Sequence, residues 1–149
     1  MSDPRVSVVV PSWNGLGLLR AHLPSLVAAS RDEGGELVVC DDASSDGTAE
    51  ALAGEFPSVR VVRRARNGGF ASAANDGILS ARGRIVVLVN NDVELRPGCL
   101  PRLAEALDRE PSLFAAVPSL VGFWKGAGKG VGVVRPIQPH LPAVGEVGP

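Results

Sequence analysis

Residues 37–47 read Leu-Val-Val-Cys-Asp-Asp-Ala-Ser-Ser-Asp-Gly, and the fold turns on how that stretch is read. Residues 37–40 are an unbroken apolar run, too short for a helix, with the character of a strand covered on both faces. The polar residues after it make a turn, in which Ser45 or Asp46 would cap a helix starting near Thr48. The same alternation extends in both directions. Upstream, residues 5–10 (RVSVVV) form a β-branched run bounded by Pro11. Leu16, Leu18, Leu19, Leu23, Leu26 and Val27 then recur at helical spacing, which predicts a helix over 16–29 with Pro24 as a kink point. Downstream, 59–62 reads as a third strand, 70–81 as an Ala-rich helix and 85–89 (IVVLV) as the most apolar strand. Residues 100–107 supply another helix and 114–117 a short fifth strand.

Strands and helices alternating at this spacing are βαβ units, so the class is α/β: a Rossmann-like, mainly parallel sheet with right-handed crossovers and helices on both faces. A length of 149 residues suits one such domain. The periodic pattern occupies 1–117, whereas 118–149 scatters Gly and Pro and is expected to be irregular, a tail or the stub of a missing half. Gly126, Gly128, Gly130 and Gly132 superficially resemble a phosphate loop there, but the Lys-Ser/Thr pair and the following helix are missing.

Composition narrows the partners. Lys plus Arg total 15 against 16 Asp plus Glu, so nothing favours a polyanion, and nucleic acid is not an expected partner. Cys40 and Cys99 lack CxxC spacing and read as core residues of a reduced compartment. The start, Met1-Ser2-Asp3-Pro4, lacks the basic and apolar regions of a signal peptide, and no segment is apolar for long enough to span a bilayer. The expected location is the cytoplasm, including the inner face of the membrane.

In open parallel sheets the ligand sits at the carboxyl ends of the strands. Here those ends carry Pro11-Ser12-Trp13-Asn14-Gly15, Asp41-Asp42, the loop 63–69 and Asn90-Asn91-Asp92. Asp41 and Asp42 can accept hydrogen bonds from a ribose diol or a base N–H, since Ser44, Ser45 and Asp46 offer ample capping without them. Asp92 ends the most apolar strand, where a carboxylate suits Mg²⁺ or Mn²⁺ bridging to phosphate and equally suits a structural turn. Within Arg63, Arg64 and Arg66, one guanidinium is expected to meet a phosphate.

At these residues the chain resembles family 2 glycosyltransferases of the GT-A fold, and within them the rhamnosyltransferase-like group. Four ordered blocks carry the likeness: VSVVVPSWNG, VVCDDASSDGT, RNGGFASAANDGI and IVVLVNNDVEL. The resemblance implies that 1–117 is a nucleotide-sugar-binding subdomain. By position, Pro11, Trp13, Asn14 and Gly15 would line the base pocket, Asp42 with Asp41 would hold base or ribose, and Asn67 and Asn75 would shape a uridine or thymidine site. Arg66, Asn90 and Asn91 would complete the donor site, and Asp92 would hold a divalent metal, Mg²⁺ or Mn²⁺. The family motif is Asp-x-Asp, so the first acid is replaced by Asn90 here. The implied reaction is inverting transfer from a UDP- or dTDP-sugar to a glycan, lipid-linked or other hydroxyl acceptor, in cell-surface polysaccharide synthesis. The family's carboxylate base belongs to acceptor-site sequence expected beyond the end of this chain, so the catalytic residue is unassigned. The alternative is a truncated, non-catalytic fragment that binds nucleotide sugar.

Other classes fit less well. A dinucleotide-binding oxidoreductase needs Gly-x-Gly-x-x-Gly after strand one, where this chain has Trp13 and lacks the third glycine. A phosphoacceptor receiver would carry its acidic pair after strand one, not strand two.

Overall fold

The computed structural model describes residues 3–116 and 118. The element order is β1 (Val6–Ser12), α1 (Leu16–Asp32), β2 (Glu36–Asp41), α2 (Thr48–Glu55), β3 (Val59–Arg63), α3 (Phe70–Ser80), β4 (Ile85–Leu88) and α4 (Cys99–Arg109). Among the described residues the four strands form one sheet, ordered β3-β2-β1-β4, and every pairing there is parallel. The expected Rossmann-like α/β architecture is therefore present. Right-handed crossovers place α1 and α2 on one face, because β1, β2 and β3 advance in one direction. α3 lies on the other face, because it carries the chain back across β2 and β1 to β4.

β1 is buried along its whole length, as its continuous apolar run requires of a central strand. Val6, Val8, Val9, Val10, Val38 and Val39 are inaccessible to solvent, with Leu19, Leu23 and Leu26 of α1 closing over the sheet. On α3, Gly77 permits close approach: a Cβ there would stand 2.5 Å from Val9 Cγ1. β4, at the edge, is half-covered, with Ile85 buried but Val86 and Leu88 exposed.

Most departures from the sequence reading lie at boundaries. β1 runs on through Pro11 and Ser12. α1 contains Pro24 yet continues to Asp32, until Gly34 adopts a positive φ of 60°. The expected Ser45 or Asp46 cap is a correction: the N-cap of α2 is Gly47, in the left-handed region and without a side-chain cap bond, while the Asp46 carboxylate one position earlier accepts the Thr48 N–H at 3.2 Å. The fifth strand is a correction. Residues 114–116 are irregular and the Phe114 side chain is exposed, so this short apolar run forms no strand among the described residues. Val117 and the glycine series from Gly126 to Gly132 lie outside the described residues.

The chain divides into two units at Leu100 and Pro101. In the second, α4 continues to Arg109 and ends in a turn at Pro111 and Ser112. Among the described residues no helix is long and apolar enough to cross a membrane.

At the amino ends of the strands, opposite the candidate site, Glu36 gathers a polar knot. Its Oε1 accepts the Ser7 hydroxyl and the Arg82 N–H, each at 2.7 Å, and Arg60 lies 3.2 Å from Oε2. Burial opposes ionisation of Glu36, but those donors and Arg60 together hold its carboxyl below the ordinary range.

Candidate functional site at the carboxyl edge of the sheet

In the order β3-β2-β1-β4, connectivity reverses between β1 and β4, and such a switch point is where an open α/β sheet presents its crevice. The loops after β1 and β4 flank it and touch: Asn91 Nδ2 donates to Ser12 Oγ at 3.0 Å. Gly15 makes this approach possible. A Cβ at that position would lie 2.5 Å from Asn91 Nδ2 and 2.6 Å from Ser12 Oγ.

The loop after β1 is also laced to the loop after β2. The Asn14 N–H donates to Ser44 Oγ at 2.9 Å, and its side-chain oxygen accepts the Ser45 N–H at 2.8 Å. The Leu16 N–H donates to Asp46 Oδ2 at 3.0 Å. Asn14 and Ala43 both have positive φ, 48° and 59°. Asparagine tolerates that region, whereas alanine is strained there.

Asp41 and Asp42 are buried at the end of β2, and the two differ. Asp41 Oδ1 accepts the Ser44 N–H at 3.1 Å, while its Oδ2 is buried without a hydrogen bond among the described residues, 4.0 Å from Arg63 Nε. Asp42 holds the next loop. It accepts the Gly68 N–H at 3.0 Å, the Gly69 N–H at 2.8 Å and a charge-assisted bond from Arg64 Nη1. Burial works against its ionisation, but the two amides and Arg64 prevail and keep its carboxyl below the ordinary range. Asp42 is therefore not the spare side chain that the sequence reading assumed, whereas Asp41 keeps one oxygen without a hydrogen bond among the described residues. The Ser44, Gly68 and Gly69 amides need acceptors, and these two carboxylates supply them. A carboxylate has about four acceptor positions, so three donors leave Asp42 one.

The arginine cluster is similarly committed. Arg63 pairs with Glu50 at 2.6 Å, and Arg64 binds Asp42 and Asp76. Arg66 is exposed and, unlike Arg63 and Arg64, has no ion pair among the described residues. Ala43, Ser44, Arg63, Arg64 and Ala65 line an open depression of about 350 Å³ beside these groups.

The remaining expected residues fall on the same edge with different surroundings. Pro11 is buried in β1, and Trp13 is exposed, an aromatic face open to solvent. Asn67 Oδ1 accepts the Gly69 N–H at 3.2 Å, and Asn75 is exposed on α3. Asn90 and Asp92 are exposed beyond β4. Among the described residues no three His, Cys, Asp or Glu side chains gather into a metal cage. The donor set still fits a substrate-borne ion, because Mg²⁺ is usually held by one or two carboxylates with phosphates and water filling its shell. Asp92 offers a carboxylate to solvent, and Asn90 and Asn91 precede it in the chain. Ser12, Gly68 and Gly69 fall in loops that the sequence reading placed on this edge, but it gave them, like Ser44 and Asp76, no assigned role in the site. Only the first loop's place at a strand end could have pointed to Ser12, whose partner is 79 positions away.

Parallel topology, a switch point between β1 and β4 and four interlocked polar loops on the carboxyl edge define a Rossmann-like α/β domain. Within that class the chain belongs to Glycosyl transferase family 2, whose model matches residues 7–132. It is similar to the dolichol-phosphate mannosyltransferase of Pyrococcus furiosus, 33% identical over 106 residues that make up 69% of this chain and 30% of that protein. Among solved structures it resembles the mannosyltransferase PcManGT from Pyrobaculum calidifontis in complex with GDP-Man and Mn²⁺ (33% identity, TM-score 0.60, covering 76% of this chain and 34% of that one). It also resembles S. aureus TarS 1-349 in complex with UDP-GlcNAc (28% identity, TM-score 0.60, 70% and 31%). The chain thus spans about a third of the length of each.

Proposed function

We propose that this chain binds the donor for an inverting glycosyltransferase, which moves a sugar from a UDP- or dTDP-sugar to a glycan, lipid-linked or other hydroxyl acceptor in cell-surface polysaccharide synthesis. The observation that carries the reading is the interlocking of the four carboxyl-edge loops around the β1/β4 switch point, with Ser12 and Asn91 bonded across it. Family membership supports it, as do neighbours bound to GDP-Man and UDP-GlcNAc. Asn90-Asn91-Asp92 favours placement beside the rhamnosyltransferase-like group.

In this reading Trp13 stacks on the base, with Pro11, Asn14 and Gly15 shaping the pocket. Asp41 and Asp42 border the nucleoside, Asn67 and Asn75 complete its outline, and Arg66 meets the diphosphate. Asp92, with Asn90 and Asn91, holds Mg²⁺ or Mn²⁺, which offsets charge on the departing diphosphate. An acceptor hydroxyl needs a base, worth about 10²–10⁴ in rate, and the reading gives that role to no described residue. Donor binding without transfer by this chain is therefore the second reading.

Amide NMR tests the proposal. UDP or dTDP should shift the Gly15, Ala43, Gly68 and Gly69 resonances, and Mn²⁺ with nucleotide should broaden signals around Asn91 and Asp92. Shifts confined to residues away from the four loops would overturn it. A transfer assay with labelled donors and a panel of acceptors then separates transfer from binding alone.

A further inference from the structure

Arg64 is the most enclosed member of an arginine cluster, with its side chain 17% exposed against 54% for Arg63. Its Nη1 donates to Asp42, and its Nε donates to Asp76 Oδ2 at 2.6 Å. Its main-chain N–H donates to the Asp41 carbonyl at 2.9 Å. The guanidinium also lies against Gly68, where a Cβ would stand 2.5 Å from Nη1 and 2.9 Å from Nη2. The group thus joins the end of β2 to the second turn of α3 across the loop that contains Asn67.

We propose that Arg64 is a positioning residue for donor binding: by bridging Asp42 and Asp76 it holds the 64–69 loop in the shape that receives the nucleotide. The inference rests on the donor-binding reading above for the identity of the ligand. Asp42 is the acceptor for the Gly68 and Gly69 amides, so whatever orients that carboxylate orients the entry to α3. Arg64 provides the opposing charge and fixes the carboxylate's direction. Two carboxylates approaching from different sides require a fork with separate donors. A lysine, with one compact head group, serves one of them well and not both. A guanidinium engaged in this way is not free for phosphate, and that role falls to Arg66.

The test uses the full chain and the variants Arg64→Lys, Arg64→Ala and Asp76→Asn, each checked by its thermal transition. Hydrogen exchange reads the Gly68 and Gly69 amides, and calorimetry reads UDP, dTDP and GDP in the presence of Mn²⁺. If Arg64 acts only by its charge, lysine rescues everything that alanine loses. A positioning role predicts that lysine restores thermal stability relative to alanine, while Gly68 and Gly69 exchange about tenfold faster and nucleotide affinity falls about tenfold. Asp76→Asn should move both in the same direction by a smaller factor. Wild-type exchange and affinity in Arg64→Lys would overturn the inference. If the wild-type chain binds none of the three nucleotides, the donor-binding reading fails by itself. The exchange rates then decide the bridge: faster in Arg64→Lys supports it, and unchanged rates refute it.

Discussion

Replacing Asp42 with asparagine should destabilise the fold before any ligand is considered. The carboxylate accepts two main-chain amides, from Gly68 and Gly69, and pairs with Arg64 while itself buried. Asparagine keeps one acceptor oxygen and turns a donor toward groups that are all donors. Hydrogen bonds to a charged group contribute about 1.5–3 kcal/mol each. One lost and two weakened sum to about 3 kcal/mol, a large share of the roughly 5–15 kcal/mol that holds a domain together. The assay is urea unfolding, where m-values of about 1–3 kcal/mol/M turn this into a midpoint lower by roughly 1–3 M. Acidity supplies the sign. The folded-state pKa of Asp42 is depressed, so its contribution is fully present above the unfolded value of about 3.9 and is lost as pH falls through the folded one. The gap between wild type and Asp42→Asn should therefore be full at pH 7 and narrow below about pH 4. Equal midpoints at pH 7, or a gap unchanged down to pH 3, would refute this reasoning.

Glu36→Gln should lower stability by about 1–2 kcal/mol at neutral pH, since Ser7, Arg82 and Arg60 all address that carboxylate. Its depressed folded pKa makes this deficit shrink as pH falls below about 4.3, which melts across a pH series will read. Gly15→Ala should push the ends of the Asn91 and Ser12 side chains aside and break the bond between them, at a cost of about 1 kcal/mol, and it should weaken nucleotide binding beyond its effect on the melt. Leu88→Lys places a charge on the exposed side of the edge strand β4 and should reduce self-association in light scattering, with little change in the melt.

The strands were legible because central parallel strands are buried on both faces and leave continuous apolar runs, as in Val8, Val9 and Val10. The fifth strand was misread because the run at 114–116 carries the right residue types while strand formation needs a paired neighbour. Which loops share an edge followed from the parallel topology alone, so Trp13, Asp42, Asn67 and Asp92 were placed together correctly on that edge. The partners of those side chains were not legible. Arg64 meets Asp42 across 22 positions and Asn91 meets Ser12 across 79, and no local pattern encodes such distances. For the same reason the aspartates looked unengaged: their donors are main-chain amides of Ser44, Gly68 and Gly69, which every sequence has and none advertises.

Calorimetry of UDP and dTDP binding, with Mg²⁺ or Mn²⁺ and again after chelation, addresses the central claim most directly. The account predicts saturable one-site binding to the chain that weakens at least about tenfold on chelation and in Asp92→Asn. Binding indifferent to both chelator and Asp92→Asn would contradict the metal assignment, and no binding of either nucleotide would contradict the donor site itself.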